Sequence, residues 1–135
     1  MSAQTLRVPW KLSSGRDARH VLVSSLRELD VDETVVDEAE IVISELVGNA
    51  VRHARPLPDG KIKVSWTVRA GVVEVEVADG GGPTIPRPAP RSLMSDKGRG
   101  LRIVRGLAHE WGVHEDRGGR TVWVALGGPS RRRSQ

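Results

Sequence analysis

Residues 61 to 69 alternate without a break, with Ile62, Val64, Trp66 and Val68 in one phase and Lys61, Lys63, Ser65, Thr67 and Arg69 in the other. Val73, Val75 and Val77 then alternate with Glu74 and Glu76, and Ala70-Gly71 lies between the two runs. A period of two is the period of a strand, and a two-residue connection makes the pair a β-hairpin. Its polar face is expected to set basic residues against acidic ones. Its apolar face cannot stay in water, because an isolated hairpin is marginal at best. Whatever else this chain does, it must cover that face.

Two amphipathic helices are available for the purpose. Ser14-Gly15-Arg16-Asp17 resembles a capping box, and Ala18, Leu22, Leu26 and Leu29 follow it at helical spacing, which predicts a helix over 15–29. A second helix begins near Asp32, carries Val36, Ala39, Ile43, Leu46, Val47 and Ala50 as its stripe, and ends before Pro56. Leu6, Val8, Trp10 and Leu12 read as a short strand, at an edge because of Pro9. From Asp79 to Lys97 the glycines and prolines point to an irregular loop long enough to act as a lid. A third helix follows Gly98, then a hairpin of Trp111 to Glu115 and Arg120 to Leu126, with a basic tail from 127 to 135 expected to be disordered. This order predicts an α/β two-layer sandwich, an antiparallel or mixed sheet with helices on one face, as a single domain over 1–126.

The 135 residues contain no cysteine, which excludes disulfides, thiolate metal sites and cysteine nucleophiles. Met1 to Val8 lacks the pattern of a leader and no apolar run reaches spanning length, so a cytoplasmic protein away from membranes is expected. The net charge of +4 is segregated. Residues 28 to 45 hold acids and no Lys or Arg, whereas 84 to 105 hold Arg87, Arg91, Lys97, Arg99, Arg102 and Arg105 against Asp96 alone. The tail Arg131-Arg132-Arg133 accounts for three of the positive charges, which weakens a nucleic-acid reading. Aromatic residues are four Trp, none within the basic segment, so stacking platforms for bases are missing and no direct nucleic-acid contact is expected.

Three places carry chemistry. Glu45 and Asn49 stand one helical turn apart, a carboxylate able to accept a proton and a carboxamide oxygen suited to Mg²⁺. The same spacing also occurs on ordinary solvated helices. Asp79 ends the Val73 to Val77 strand just before Gly80, Gly81 and Gly82, where a carboxylate can accept a hydrogen bond from an exocyclic amine and the backbone can be approached closely. Taken alone it is more simply an acidic turn residue. Gly98-Arg99-Gly100-Leu101 opens a helix, a natural phosphate site but a weak signal by itself.

The three in this order resemble the GHKL ATPase superfamily of gyrase, Hsp90, histidine kinases and MutL. Within it, Ser44-Glu45-Leu46-Val47-Gly48-Asn49-Ala50-Val51-Arg52-His53-Ala54 looks most like the anti-sigma-factor serine kinases of bacteria, a likeness running from about residue 5 to 126. The resemblance implies the Bergerat fold, a mixed, largely antiparallel sheet backed by three helices, with ATP held between helices and lid. It implies Glu45 as the general base toward a serine hydroxyl or water, Asn49 as the Mg²⁺ ligand and Asp79 as the partner of the adenine amine. Gly81 would shape the loop, with His53, Lys97, Gly98, Arg99, Gly100 and Leu101 at the nucleotide and Thr121 supporting the adenine from a late strand. Arg19 falls where the family has a partner-contacting arginine. A sigma factor and a STAS-type antagonist, whose serine is phosphorylated, are the implied partners, and homodimers are usual in such proteins.

Two departures stand out. Pro83 follows the glycines of the Asp79 box, and Gly48 occupies an interior helix position at about 1 kcal/mol relative to Ala. Pro83 keeps open a second expectation, a catalytically silent module that holds ATP or docks a partner. Retention of Glu45 argues against it.

Overall fold

The computed structural model describes residues 2–82, 104 and 106–128. The elements are β1 (Ser2–Pro9), α1 (Ser14–Glu28), α2 (Glu33–His53), β2 (Lys61–Arg69), β3 (Val72–Asp79), β4 (Glu110–Asp116) and β5 (Gly119–Leu126). The strands form one sheet in the order β1-β2-β3-β5-β4. Every neighbouring pair is antiparallel, so the mixed character implied by the resemblance is absent among the described residues. β3 and β4 run the same way but β5 lies between them.

Two helices, rather than three, are complete among the described residues. The helix expected after Gly98 falls mostly outside them, although Val104, Gly106 and Leu107 are helical and the Ala108 N–H donates to the Val104 carbonyl at 3.0 Å. The lid with Pro83, the stretch Lys97 to Leu101, and the tail from 129 also lie outside the described residues.

The hairpin forms for a local reason. Ala70 and Gly71 both take positive φ, 52° and 81°, the primed geometry that matches the twist of paired strands. That turn sets Val64 opposite Val77, Trp66 opposite Val75 and Val68 opposite Val73. The same register corrects the expected charge pairing, because Glu76 faces Ser65 and Glu74 faces Thr67. Instead, partial burial and the neighbouring Glu76 and Glu110 hold the Glu74 carboxyl above its ordinary pKa.

β1 is an edge strand, as Pro9 implies, but it stops at Pro9 instead of running to Leu12. Pro9 pairs with Lys61, the first residue of β2, so nothing remains for Trp10 and Leu12 to pair with. The chain turns there, Lys11 N–H donating to the Pro9 carbonyl at 2.9 Å, and leaves Leu12 57% exposed. Trp10 leans on α2, its indole N–H 3.4 Å from the Ala50 carbonyl. Ser14 is not the expected cap of α1. Its buried hydroxyl donates to the Pro9 carbonyl at 2.6 Å and ties the helix start to the strand end. Asp32 does cap α2, accepting from the Thr34 N–H at 3.1 Å.

Both helices lie on one face of the sheet, α1 against β1 and β2, α2 against β3 and β5. Leu22, Leu26, Val36, Ile43, Val47, Ile62, Val64, Val75, Val124 and Leu126 are fully buried between the layers. Each large apolar side chain so buried contributes about 1.5–3 kcal/mol. Trp66 is 2% exposed, and its indole N–H is satisfied by the Ser25 hydroxyl at 3.0 Å, which in turn donates to the Gln4 side-chain carbonyl at 3.0 Å. Among the described residues no helix is long and apolar enough to cross a membrane.

Candidate functional site

The site lies where β3 ends, β5 begins and the chain leaves α2. Asp79, the last residue of β3, is in phase with Val73, Val75 and Val77, so its side chain belongs to the helix-covered face and is 5% exposed. Directly across the ladder stands Arg120, in phase with Val122, Val124 and Leu126 and equally buried. Arg120 Nε is 3.7 Å from Asp79 Oδ1, and Arg120 Nη1 is 3.7 Å from Glu115 Oε2 on β4. The Gly81 N–H donates to the same Oδ1 at 2.7 Å. Both contacts fall on Oδ1.

Burial pushes the Asp79 carboxyl above its ordinary pKa, opposed by the Gly81 N–H and then by Arg120, and reinforced slightly by Glu115. Desolvation wins because the arginine is shared with Glu115 and stands beyond ideal hydrogen-bond distance.

The glycines after Asp79 bind this strand end to the exit of α2. Gly80 N–H donates to the Arg55 carbonyl at 2.7 Å, Arg55 N–H donates to the Gly81 carbonyl at 2.9 Å, and the Arg55 guanidinium reaches the Gly82 carbonyl at 2.9 Å. A Cβ on Gly80 would stand 2.2 Å from the Pro56 carbonyl oxygen, so no other residue fits. Gly119, at φ 142°, is bound in the same way, since a Cβ there would stand 2.1 Å from the Asp79 carbonyl oxygen.

On α2 the residues Glu45, Asn49 and His53 follow one another at four-residue spacing along one flank. Glu40 and Val47 mark the side toward α1, through the Arg19–Glu40 ion pair at 3.4 Å and the contact of Val47 with Gly15. Glu45 and Asn49 are half-buried and His53 is exposed. Glu45 and Arg19 line one shallow cleft of about 340 Å³ together with Glu40, Ile41 and Ser44, so these two sequence candidates are brought together. Gly48 is covered by the side chain of Arg52, whose Nη1 would lie 3.0 Å from an added Cβ.

Thr121 is placed differently from Asp79. It pairs with Ala78 and His114, one residue out of phase, and so belongs to the face turned away from the helices. There it borders a cleft of about 320 Å³ with Arg7, Lys63 and Ala78, which Asp79 and Arg120 also reach from the strand ends. Lys97, Gly98, Arg99, Gly100 and Leu101 lie outside the described residues.

Arg120 is a residue that sequence reasoning missed. Its signal was present, because an arginine in phase with Val122, Val124 and Leu126 must point at the core and needs a buried acid.

A carboxylate anchored through one oxygen can take an N–H from a ligand on the other, and a half-buried carboxamide on a helix can ligate a hard cation. The comparisons give the class of the domain. The family model of the histidine kinase-like ATPase domain matches residues 8–126, and the chain belongs to that family. Its fold is similar to a crystal structure of the RsbU and RsbW domains of Rv1364c from Mycobacterium tuberculosis, with a TM-score of 0.71 at 21% identity. That match covers 97% of this chain and 34% of the other, so this chain spans about a third of its length. No curated protein matches.

Proposed function

We propose that this protein is an Mg·ATP-dependent regulatory serine kinase of the anti-sigma type. The observation that carries the reading is the Asp79 carboxylate, buried at a strand end, anchored through Oδ1 and backed by a loop of glycines. In this reading Asp79 Oδ2 accepts the exocyclic amine of adenine, and Gly80 to Gly82 let the base approach the backbone. Membership of an ATPase-domain family and the likeness in fold to the RsbU–RsbW structure support it.

Mg²⁺ fits the residues present. No group of three or more His, Cys, Asp or Glu able to hold a metal occurs among the described residues. A magnesium ion needs no such group, since it is commonly held by one or two protein oxygens together with substrate phosphates. Asn49 is the side chain that would hold it, and the ion would neutralise phosphate charge.

Glu45 acts as the base. Its carboxylate accepts the proton of a serine hydroxyl as that oxygen bonds to the γ-phosphorus and the bond to the β-phosphate oxygen breaks, releasing ADP. Glu45 shares its cleft with Arg19 and the exposed Ile41, which makes this the place where a protein carrying the serine arrives. The partners in this reading are a STAS-type antagonist as phosphoryl acceptor and a sigma factor bound in its absence.

The rival reading is a silent module, which Pro83 in the Asp79 box keeps open. The deciding experiment titrates ATP against the parent, Asn49→Ala and Asp79→Asn, with and without Mg²⁺, and then adds candidate antagonists with labelled ATP. Binding weakened by both substitutions, with label transfer lost in Glu45→Gln, is the expected result. Binding without transfer to any partner identifies a module. Binding unaffected by either substitution would falsify the site.

A further inference from the structure

The buried arginine opposite Asp79 is not used by the reading above. Arg120 is held by charge on both sides, Asp79 on β3 and Glu115 on β4, and is 5% exposed on the core face of β5. An arginine is not left in such a place by default, because ordering and desolvating it cost more than an apolar residue of similar volume would. The cost is repaid only if the charge is used.

We propose that Arg120 is the positioning residue of the base pocket. It keeps the Asp79 carboxylate ionised and held through Oδ1, so that Oδ2 faces the ligand and selects a purine bearing an exocyclic amine. The inference rests on the nucleotide-binding reading and deepens it. The geometry supports it in two ways. Arg120 and the Gly81 N–H converge on one oxygen, which holds the carboxylate through Oδ1 and lets Oδ2 serve as the acceptor. Burial acts in the opposite direction on the charge, and Arg120 is the cation that counters it.

Among the described residues, Arg120 comes to Asp79 from β5 and Glu115 from β4, while Arg55, beyond α2, turns its guanidinium to the Gly82 carbonyl. Arg7, Lys63 and Asp116 line the cleft that Asp79 reaches from its strand end. From α2 the buried Leu46 and Ala50 are apolar, and His53 on its flank is exposed. Beside the Gly81 N–H, Arg120 is the cation in contact with the Asp79 carboxylate among the described residues. A purine with a carbonyl in place of the amine sets an acceptor against an ionised acceptor and is rejected. Protonated Asp79 would lose that discrimination.

The test has a ligand-free arm and a ligand arm. Carboxyl-carbon NMR follows the titration of Asp79 in the unliganded parent, Arg120→Gln and Arg120→Lys. The midpoint should rise by about one pH unit in the Gln variant and return toward the parent in the Lys variant. ATP and inosine triphosphate are then titrated from acid to neutral pH. The parent should prefer ATP by about tenfold or more, the Gln variant should lose most of that preference, and the Lys variant should recover it. An unmoved Asp79 midpoint in a folded Gln variant, checked by circular dichroism, overturns the proposal, as does a parent indifferent to the two nucleotides. If the Gln variant does not fold, the parent still decides, since the Arg120 Nε resonance must titrate with the Asp79 midpoint. A parent that binds no nucleotide defeats the nucleotide reading and this inference together. A parent that binds ATP with an Asp79 midpoint insensitive to Arg120 defeats the inference alone.

Discussion

Asp79 and Arg120 face each other across the β3–β5 ladder, carboxylate oxygen and guanidinium nitrogen 3.7 Å apart and both side chains 5% exposed. Even so, burial dominates and the Asp79 pKa is raised. A carboxyl whose folded pKa exceeds its unfolded value binds its proton more tightly in the folded state. Its contribution to stability is therefore greatest in acid and is lost as pH rises through the unfolded and then the folded value. Asp79→Asn removes that loss. The difference in Tm between the variant and the parent should become more favourable to the variant from about pH 4 to 7, while ATP binding is weakened throughout. Thermal unfolding across this range, paired with ATP titration, checks both signs.

Gly80 and Gly119 clasp the same strand end. Gly80→Ala drives a methyl into the Pro56 carbonyl, and Gly119→Ala drives one into the Asp79 carbonyl from a backbone at φ 142°. Each should cost about 2 kcal/mol or more. Each should also displace Asp79 and reduce ATP affinity beyond what partial unfolding explains. Urea unfolding and ATP titration of the folded fraction measure the two effects separately.

Gly48 behaves in the opposite way. The atom an added methyl meets is the far end of Arg52, on an exposed and flexible side chain. Gly48→Ala should stabilise the protein by about 0.5–1 kcal/mol, as the arginine moves aside and the helix gains propensity. A higher urea midpoint with an unchanged slope is the expected outcome.

Ser25 satisfies the buried indole of Trp66. Ser25→Ala leaves that N–H without its partner and should cost about 1–3 kcal/mol. Ser25→Thr, which keeps the hydroxyl, should recover part of the loss. Denaturation followed by tryptophan fluorescence distinguishes them.

Much of this architecture was legible in the sequence because periodicity is a local property. The alternation over 61–69 and 73–77 and the apolar stripe from Val36 to Ala50 each report which face of one element is buried. Where the chain ends an element, the reading was weaker. Leu12 continued the alternation of Leu6 and Val8, yet β1 stops at Pro9 because β2 begins opposite it. The supposed cap at Ser14 went to the Pro9 carbonyl for a similar reason, a partner five residues away that no spacing rule reveals.

The candidate site divides along the same line. Glu45, Asn49 and Asp79 were named from motif and spacing, with His53 and Gly81 added by the family resemblance, and the helix flank and strand end place them. Arg120 could have been placed on the core face by its phase with Val122 and Val124, but its partner could not. Strand and helix interiors, and the apolar side of each, are legible locally, since they follow from covalent geometry and water. That Arg120 stands opposite Asp79 while Thr121 turns to the other face is a property of the assembled sheet. Register between strands distant in sequence is set by the packing of the whole sheet against α2. A shift of one residue would have exchanged the two.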